Sequence, residues 1–383
     1  MFKGSKSFGK GAVDLVTTTL GGTNNAFTTS DHTAYWFELA SDRWEKALEI
    51  EADRMRHLLI DAAEFEAEKA VVLEELSMGE DDPWRSLSQE VHTVLFPRHP
   101  YRRPVIGYAD TLKAMTPSDM RDYYARFYQP GNAVLVVSGD IEPRSALELV
   151  RKHFAHIGAD AKSARLDGYR APPSEPKGEQ RLTMRWDDKG RRLCIAWPTV
   201  KVGADDDFAL DLVSAILTGG RMSRLHRKLV LERGLATSVS THNDTRVDTG
   251  AFWVFAECAQ GVEPARLERA IDAELELLAR KAPGASELLR AKKMLAASEA
   301  HESETVSDLA EDLGEFAIDA DWHMALETVE RIEKVRAEAV RDVAARLLSK
   351  ERRVVGWCLP REKPALARND RGRKRRARAR GRA

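Results

Sequence analysis

The sequence predicts an α+β protein built as two homologous domains, each a mostly antiparallel sheet with helices packed on one face. Three observations carry that expectation. The 383 residues exceed one domain of the usual ~100–200 residues, and 43% of them are hydrophobic, enough for two cores. Strand-like and helix-like stretches recur in the same order in the two halves of the chain. A shift of 220 residues aligns Arg121, Asp122, Ala125, Arg126 and Val134 with Arg341, Asp342, Ala345, Arg346 and Val354. The expected boundaries are a first domain at 1–165, a linker at 166–180 marked by Pro172, Pro173, Pro176 and Gly178, a second domain at 181–360, and a tail at 361–383.

In the first half, Thr17 to Leu39 turns at Gly21-Gly22 and ends in the aromatic, β-favouring run Thr33-Ala34-Tyr35-Trp36-Phe37-Glu38-Leu39, which predicts a hairpin. Helical periodicity follows over Trp44 to Leu59, Ala62 to Leu76 and Pro117 to Phe127, the last with Ser118 and Asp119 as cap residues. The apolar run Asn132 to Asp140, closed by Ser138-Gly139-Asp140, predicts a buried strand. The second half repeats the pattern with a hairpin over Thr237 to Cys258, helices over Pro264 to Arg280 and Ser286 to Ala300, and a closing strand over Val354 to Leu359.

Composition excludes several classes. No run of about 18 apolar residues occurs, so no membrane span is expected. Cys194, Cys258 and Cys358 are far apart with no CxxC, which excludes a disulfide scaffold and a cysteine-rich zinc module. The net charge of -1 conceals an asymmetry: residues 361–383 carry eleven Lys+Arg against two acids, a net of +9, leaving -10 on residues 1–360. The tail, with Arg373-Lys374-Arg375-Arg376 and no aromatic residue, reads as a solvated segment with weak non-specific attraction for polyanions. Met1-Phe2-Lys3-Gly4-Ser5-Lys6 leads into polar, Gly-rich sequence without the apolar stretch of a secretory signal. The expectation is a soluble protein of a bacterial cytoplasm or periplasm, either not exported or recorded from a start inside a longer chain.

The chemical signal lies in the helix Phe65 to Leu76. At about 100° per residue, Glu68 and Glu75 fall within about 20° of each other, bracketed by Val71, Val72, Phe65 and Leu76. An unpaired buried carboxylate costs several kcal/mol, so a glutamate in an apolar stripe must meet a cation, a metal or a proton. An arginine from a neighbouring helix would satisfy that need as well as a metal would.

Several stretches resemble the pitrilysin/insulinase zinc metallopeptidases, which include the mitochondrial processing peptidase. Gly21-Gly22-Thr23-Asn24-Asn25-Ala26-Phe27-Thr28-Thr29-Ser30 with Thr33 and Tyr35 resembles the family's GG..NA.TS...T.Y segment. Glu68-Lys69-Ala70-Val71-Val72-Leu73-Glu74-Glu75-Leu76 resembles its ER.VV..EI, and Gly219-Gly220-Arg221-Met222-Ser223-Arg224-Leu225 its GG..SRL turn. Asp81-Asp82-Pro83, His99-Pro100-Tyr101 and Tyr128-Gln129-Pro130-Gly131-Asn132 also match, so the resemblance runs from about residue 1 to 360.

That resemblance implies a zinc-dependent endopeptidase acting on extended peptides or unfolded protein, with Glu75 as a metal ligand, Glu68 as a supporting catalytic carboxylate, and Asn25 and Ala26 on the substrate-binding strand edge. The chain departs from the family in having no HxxEH. The resemblance places that motif immediately ahead of Met1, so zinc is expected in a full-length parent and not in this chain, which is expected to be inactive alone. Val230 and Thr237 stand where many members carry a substrate-binding arginine and tyrosine. That departure implies the metal subunit of a pair, completed by a sister subunit or a second copy. The alternatives are a non-catalytic peptide-binding or assembly subunit, and a polyanion binder acting through the tail. His153 and His156 are expected to be solvated, His32 to be an ordinary sheet position and His99 to belong to a turn before Pro100.

Overall fold

The computed structural model describes residues 1–158 and 177–361. The prolines of the expected linker and residues 362–383 of the tail lie outside the described residues.

In the first half the chain forms α1 (Ala12–Thr19), the hairpin β1 (Thr23–Thr28) and β2 (Thr33–Glu38), then α2 (Glu45–His57), α3 (Ala62–Glu80), α4 (Pro83–Leu95), α5 (Ala109–Ala114), α6 (Pro117–Phe127) and α7 (Pro143–Phe154). The second half forms β3 (Gln180–Trp186), β4 (Arg192–Thr199), α8 (Asp205–Thr218), a π-helical turn at His226–Glu232, β5 (Ala236–Asp244), β6 (Gly250–Cys258), α9 (Pro264–Arg280), α10 (Ala285–Glu302), α11 (Val306–Asp319), α12 (His323–Lys334), α13 (Ala337–Leu347) and β7 (Val354–Pro360). The duplication is visible in the bounds. Helices α6 and α13 each span eleven residues, and their ends differ by the same 220 positions.

The second half holds a five-stranded sheet in the order β3-β7-β4-β6-β5, antiparallel except where β3 meets β7. Its inward residues Leu193, Ile195, Trp197, Phe252 and Val254 pack under α8, α9 and α13, the helices of its own half. The opposite face is not left to solvent. Helix α4, from the first half, lays Leu87, Val91 and Leu95 onto Cys194, Ala196, Val354 and Cys358. Each of those three side chains is fully buried, worth about 1.5–3 kcal/mol apiece. A Cβ on Gly356 would collide with Val91, so the glycine on β7 lets the helix lie close. In the first half Gly314 of α11 faces Val136 more loosely, a Cβ there lying 3.8 Å from the valine.

The first half differs from expectation at its closing strand. Residues 133–138 form no ladder, and β1–β2 stands as a two-stranded sheet. A strand needs a partner for its N–H and C=O groups. In the second half the counterpart β7 pairs with β3 and β4, and no described residues of the first half occupy their places. Helix α6 begins at Pro117 as the spacing predicts and Asp119 is one of its capping residues, but the other is Thr116 and not Ser118: the two form a reciprocal capping box, with Pro117 at the first helical position.

Candidate active site

The two glutamates of α3 lie on one side of the helix, but not in its buried stripe. The shielded side carries Glu64, Phe65, Lys69, Val72, Leu73 and Leu76, all half-buried, with Gly79 buried, while Glu68, Val71, Glu75 and Met78 are exposed. The difference arises from Lys69, which counts as polar in sequence. Its stem is buried, its ammonium lies 5.2 Å from the Phe65 ring centroid and it donates to Met115 O at 3.3 Å. Admitting Lys69 rotates the stripe and leaves both carboxylates at its margin. Glu68 pairs with Lys3 at 2.8 Å, both side chains nearly half exposed. The carboxylate therefore sits beside the start of the chain, and the pair itself contributes little stability. Glu75 is exposed.

The chain start that meets Glu68 also meets the hairpin, the Phe2 ring lying 6.2 Å from that of Tyr35 on β2, and the hairpin has a free main-chain edge. Asn25 pairs with Trp36 and Ala26 with Tyr35 across β1–β2, while the other edge of β1 has no strand against it among the described residues. The Asn25 side chain is exposed, and its Oδ1 accepts from Ala26 N at 2.9 Å.

Beneath β2 and the chain start lies Arg54 of α2, a residue that sequence reasoning missed. It is 1% exposed and its guanidinium stands 5.1–5.5 Å from the ring centroids of Phe2, Tyr35 and Phe37. Nη2 reaches Glu51, whereas Nε and Nη1 are buried with no acceptor. Burial, and then Arg54, hold the nearby Met1 amino group below its usual pKa. A charged side chain at the end of an amphipathic helix gives no sequence signal for such burial.

A second group of missed residues joins the hairpin tip to the second half. The Tyr101 hydroxyl donates to both oxygens of Asp31 at 2.7 and 2.9 Å, and accepts from Asp248 N at 3.2 Å. Arg246 reaches Ser30 Oγ at 2.9 Å. His32 is not an ordinary sheet position: it lies in the turn before β2, with Nδ1 3.1 Å from Asp319 of α11 and Nε2 3.9 Å from Glu315. Burial and the neighbouring Asp319 push Asp31 above the usual carboxylate range, against the lowering bonds from Tyr101 and Val247. The Asp319 hydrogen bond raises the His32 pKa.

The remaining histidines divide. His153 pairs with Glu45 at 2.9 Å, instead of being merely solvated, while His156 is exposed. His99 caps the short turn at Pro100, as its position suggests. Val230 packs against the core and Thr237 is exposed at the start of β5.

A tetrahedral zinc site needs three protein donors and one open position. No group of three or more His, Cys, Asp or Glu among the described residues is placed to hold a metal ion. Glu75 offers one donor, so the residues present do not by themselves fit a zinc ion.

Comparison with known proteins gives the family. Residues 1–108 match the model for insulinase (peptidase family M16), and residues 114–295 match the model for the peptidase M16 inactive domain. An uncharacterized zinc protease of Mycobacterium tuberculosis is 31% identical over 351 residues, covering 89% of this chain and 78% of its own. The chain belongs to the insulinase family of peptidases. Another similar protein is the zinc protease PqqE of Helicobacter pylori, 27% identical over 84% of this chain and 72% of its own length. Among solved structures, a protease from Helicobacter pylori superposes with a TM-score of 0.88 at 24% identity, over 94% of this chain and 86% of that one. A peptidase M16 inactive domain from Pseudomonas fluorescens gives 0.84 at 22% identity, over 95% and 87%. These insulinase-family neighbours share the two-domain α+β fold. No helix among the described residues is long and apolar enough to cross a membrane.

Proposed function

We propose that the protein is the metal-bearing part of a zinc-dependent endopeptidase for extended peptides, with Glu75 as one metal ligand, Glu68 as the carboxylate that supports it, and Asn25 and Ala26 on the substrate edge. The observation that carries this reading is positional. On α3 the two glutamates share one outward side, and Glu68 is held by Lys3 at the chain start, whose Phe2 ring meets Tyr35 of the hairpin with the open β1 edge. Glu75 is one donor, and in the family the others come from an HxxEH helix, a motif this sequence does not contain. A strand edge binds through main-chain hydrogen bonds and tolerates varied side chains, which suits unfolded substrates. The -10 charge of residues 1–360 favours basic ones. Val230 and Thr237 cannot supply the guanidinium and phenol that many members extend toward the substrate, so a sister subunit or second copy completes the site.

The test uses the protein expressed from its whole genomic reading frame, extended by any in-frame codons that lie ahead of Met1. It should hold about one zinc per chain by plasma mass spectrometry and cleave a quenched fluorogenic peptide. Glu75→Gln should lower zinc affinity and turnover by about 100-fold or more, beyond the range seen for outer-shell partners. An extended Glu75→Gln protein that keeps its zinc and its rate sinks the assignment.

The donor deficit also suits a second reading, a non-catalytic peptide-binding or assembly subunit. Peptide retention by the extended chain without zinc or turnover would select it.

A further inference from the structure

A second place on the molecule combines an unpaired charge with room for a ligand. Between the first turns of α4 and the edge strand β5 lies a pocket of about 420 Å³, lined by Trp84, Arg85, Ser88, Ser238, Ser240 and Phe255. Its floor is aromatic: Trp84 meets Phe255 edge-on at 5.9 Å, and Phe255 stacks on Trp253 at 5.7 Å. Ser240 stands opposite Phe255 across the β5–β6 ladder. The Arg85 guanidinium and the Ser238 and Ser240 hydroxyls have no hydrogen-bond or ion-pair partner among the described residues, and no carboxylate lines the pocket. Arg192, 6.0 Å from the Trp84 ring, is neutralised by Asp188 at 2.7 Å, so Arg85 sets the sign of charge there.

Arg85 rests in a gap left by α3. A Cβ on Gly79 would lie 2.5–2.7 Å from three guanidinium atoms, so the glycine makes room for the guanidinium against that turn. Gly79 stands one helical turn beyond Glu75. The unpaired charge therefore lies beside the stretch of α3 that carries the glutamate assigned to the metal.

We propose that this pocket is a specificity subsite of the peptidase and selects a substrate side chain that ends in a carboxylate, glutamate above all. The inference rests on the peptidase reading and names its substrate class. Arg85 offers a forked donor matched to a carboxylate, and Ser238 and Ser240 add hydroxyl donors. The methylene stem of glutamate lies on Trp84 and Phe255, which an aspartate does not reach as far. The negative charge of residues 1–360 pulls the other way, but over long range. At physiological salt, charges are screened over about 8 Å. The whole-molecule field therefore sets how fast basic peptides arrive, and the contact at Arg85 sets which side chain stays.

Binding, which needs neither zinc nor turnover, tests this on the 383-residue chain. Three peptides labelled with tetramethylrhodamine share one extended sequence and carry Glu, Gln or Lys at the centre; fluorescence anisotropy reads their affinities at physiological salt. The Glu peptide should bind about 10-fold tighter than the Gln peptide, the worth of a hydrogen bond to a charged group, and the Lys peptide should bind weakest. Arg85→Gln should bring the Glu and Gln peptides level, and Arg85→Glu should put the Lys peptide first. Gly79→Ala favours the helix and keeps the charge but displaces the guanidinium, so it should also lower the Glu preference. Ser240→Phe fills the pocket and should weaken the Glu peptide most. Equal affinities for the three peptides, a Glu preference that survives Arg85→Gln, or no binding of any peptide at about 1 mM would overturn the proposal. Zinc content and cleavage by the protein expressed from its whole reading frame report on the peptidase reading separately. Zinc and turnover with the Lys peptide cut as fast as the Glu peptide keep that reading and remove this one. A Glu preference in binding without zinc or turnover leaves the pocket's selectivity standing and removes the peptidase reading alone.

Discussion

At the scale of single residues, buried ionisable groups decide how the second half responds to pH. Asn243 Nδ2 donates to Asp207 at 2.8 Å and to Asp211 at 2.9 Å, so two carboxylates share one amide. Burial first, and then Asp207, push Asp211 up to about 7. Between the ordinary carboxylate range and about 7 the folded protein holds a proton that the unfolded chain has released, so stability falls as pH rises through that window. Asp211→Asn should therefore raise the melting temperature at pH 8 and change it little at pH 4, a gain of at least ~1 kcal/mol by the usual 1.4 kcal/mol per unit of displacement. Urea titrations at both pH values check it. His32 has the same sign by another route. Its raised pKa means that its bond to Asp319 stabilises fully below the ordinary histidine range and is lost as pH rises through the folded value. Glu315, Asp31 and Asp319 are the charged groups facing it. His32→Gln should cost about 1–2 kcal/mol at pH 5.5 and much less at pH 9, in the same titrations.

At the scale of elements, sequence periodicity recovered much and failed for identifiable reasons. The helices over Pro117–Phe127 and Pro264–Arg280 and the hairpin over Thr237–Cys258 stand where apolar spacing and turn residues put them, whereas the first hairpin turns at Thr29–His32, with Gly21-Gly22 ahead of β1 and the expected first strand, Thr17–Thr19, lying in α1. The run at 132–140 has the composition of a buried strand, but a strand is defined by its neighbours, and those are not in the described residues of the first half. The α3 stripe was misplaced because a lysine with a buried stem looks polar in sequence. Glu68 and Glu75 were singled out by helical spacing, which misplaced them in the apolar stripe, and were given a role by family resemblance; Arg54 and the Asp31–Tyr101 joint came through neither route, since partners far apart in the chain leave no local pattern. Capping shows how fine the distinction is: Asp119 caps α6 as the sequence suggested, but its partner in the box is Thr116 and not Ser118. Thr116→Ala should cost about 1 kcal/mol, seen as a lower midpoint in denaturant with the slope unchanged.

At the scale of the whole molecule, the halves are held together by exchange of helices as much as by surface contact. Helix α4 completes the second sheet, while α11 meets Val136 and the hairpin tip of the first half. The two crossings are not equal. Leu87, Val91 and Leu95 are fully buried, whereas α11 has no fully buried residue. Coupling between the halves should therefore run mainly through α4, with the hairpin tip as a polar supplement. Leu87→Ala removes a large buried side chain at that crossing, where truncation costs about 2–5 kcal/mol. Tyr101→Phe removes one hydroxyl that joins Asp31 to the Asp248 backbone, leaving a half-buried carboxylate short of a donor at about 1–3 kcal/mol. Calorimetry separates the two effects. Tyr101→Phe should lower a single transition, whereas Leu87→Ala should split it, because the first half can then open while the α8, α9 and α13 core keeps the second sheet folded. If Leu87→Ala instead unfolds in one sharp transition with calorimetric and van't Hoff enthalpies equal, the halves are coupled elsewhere and α4 is not the joint between them.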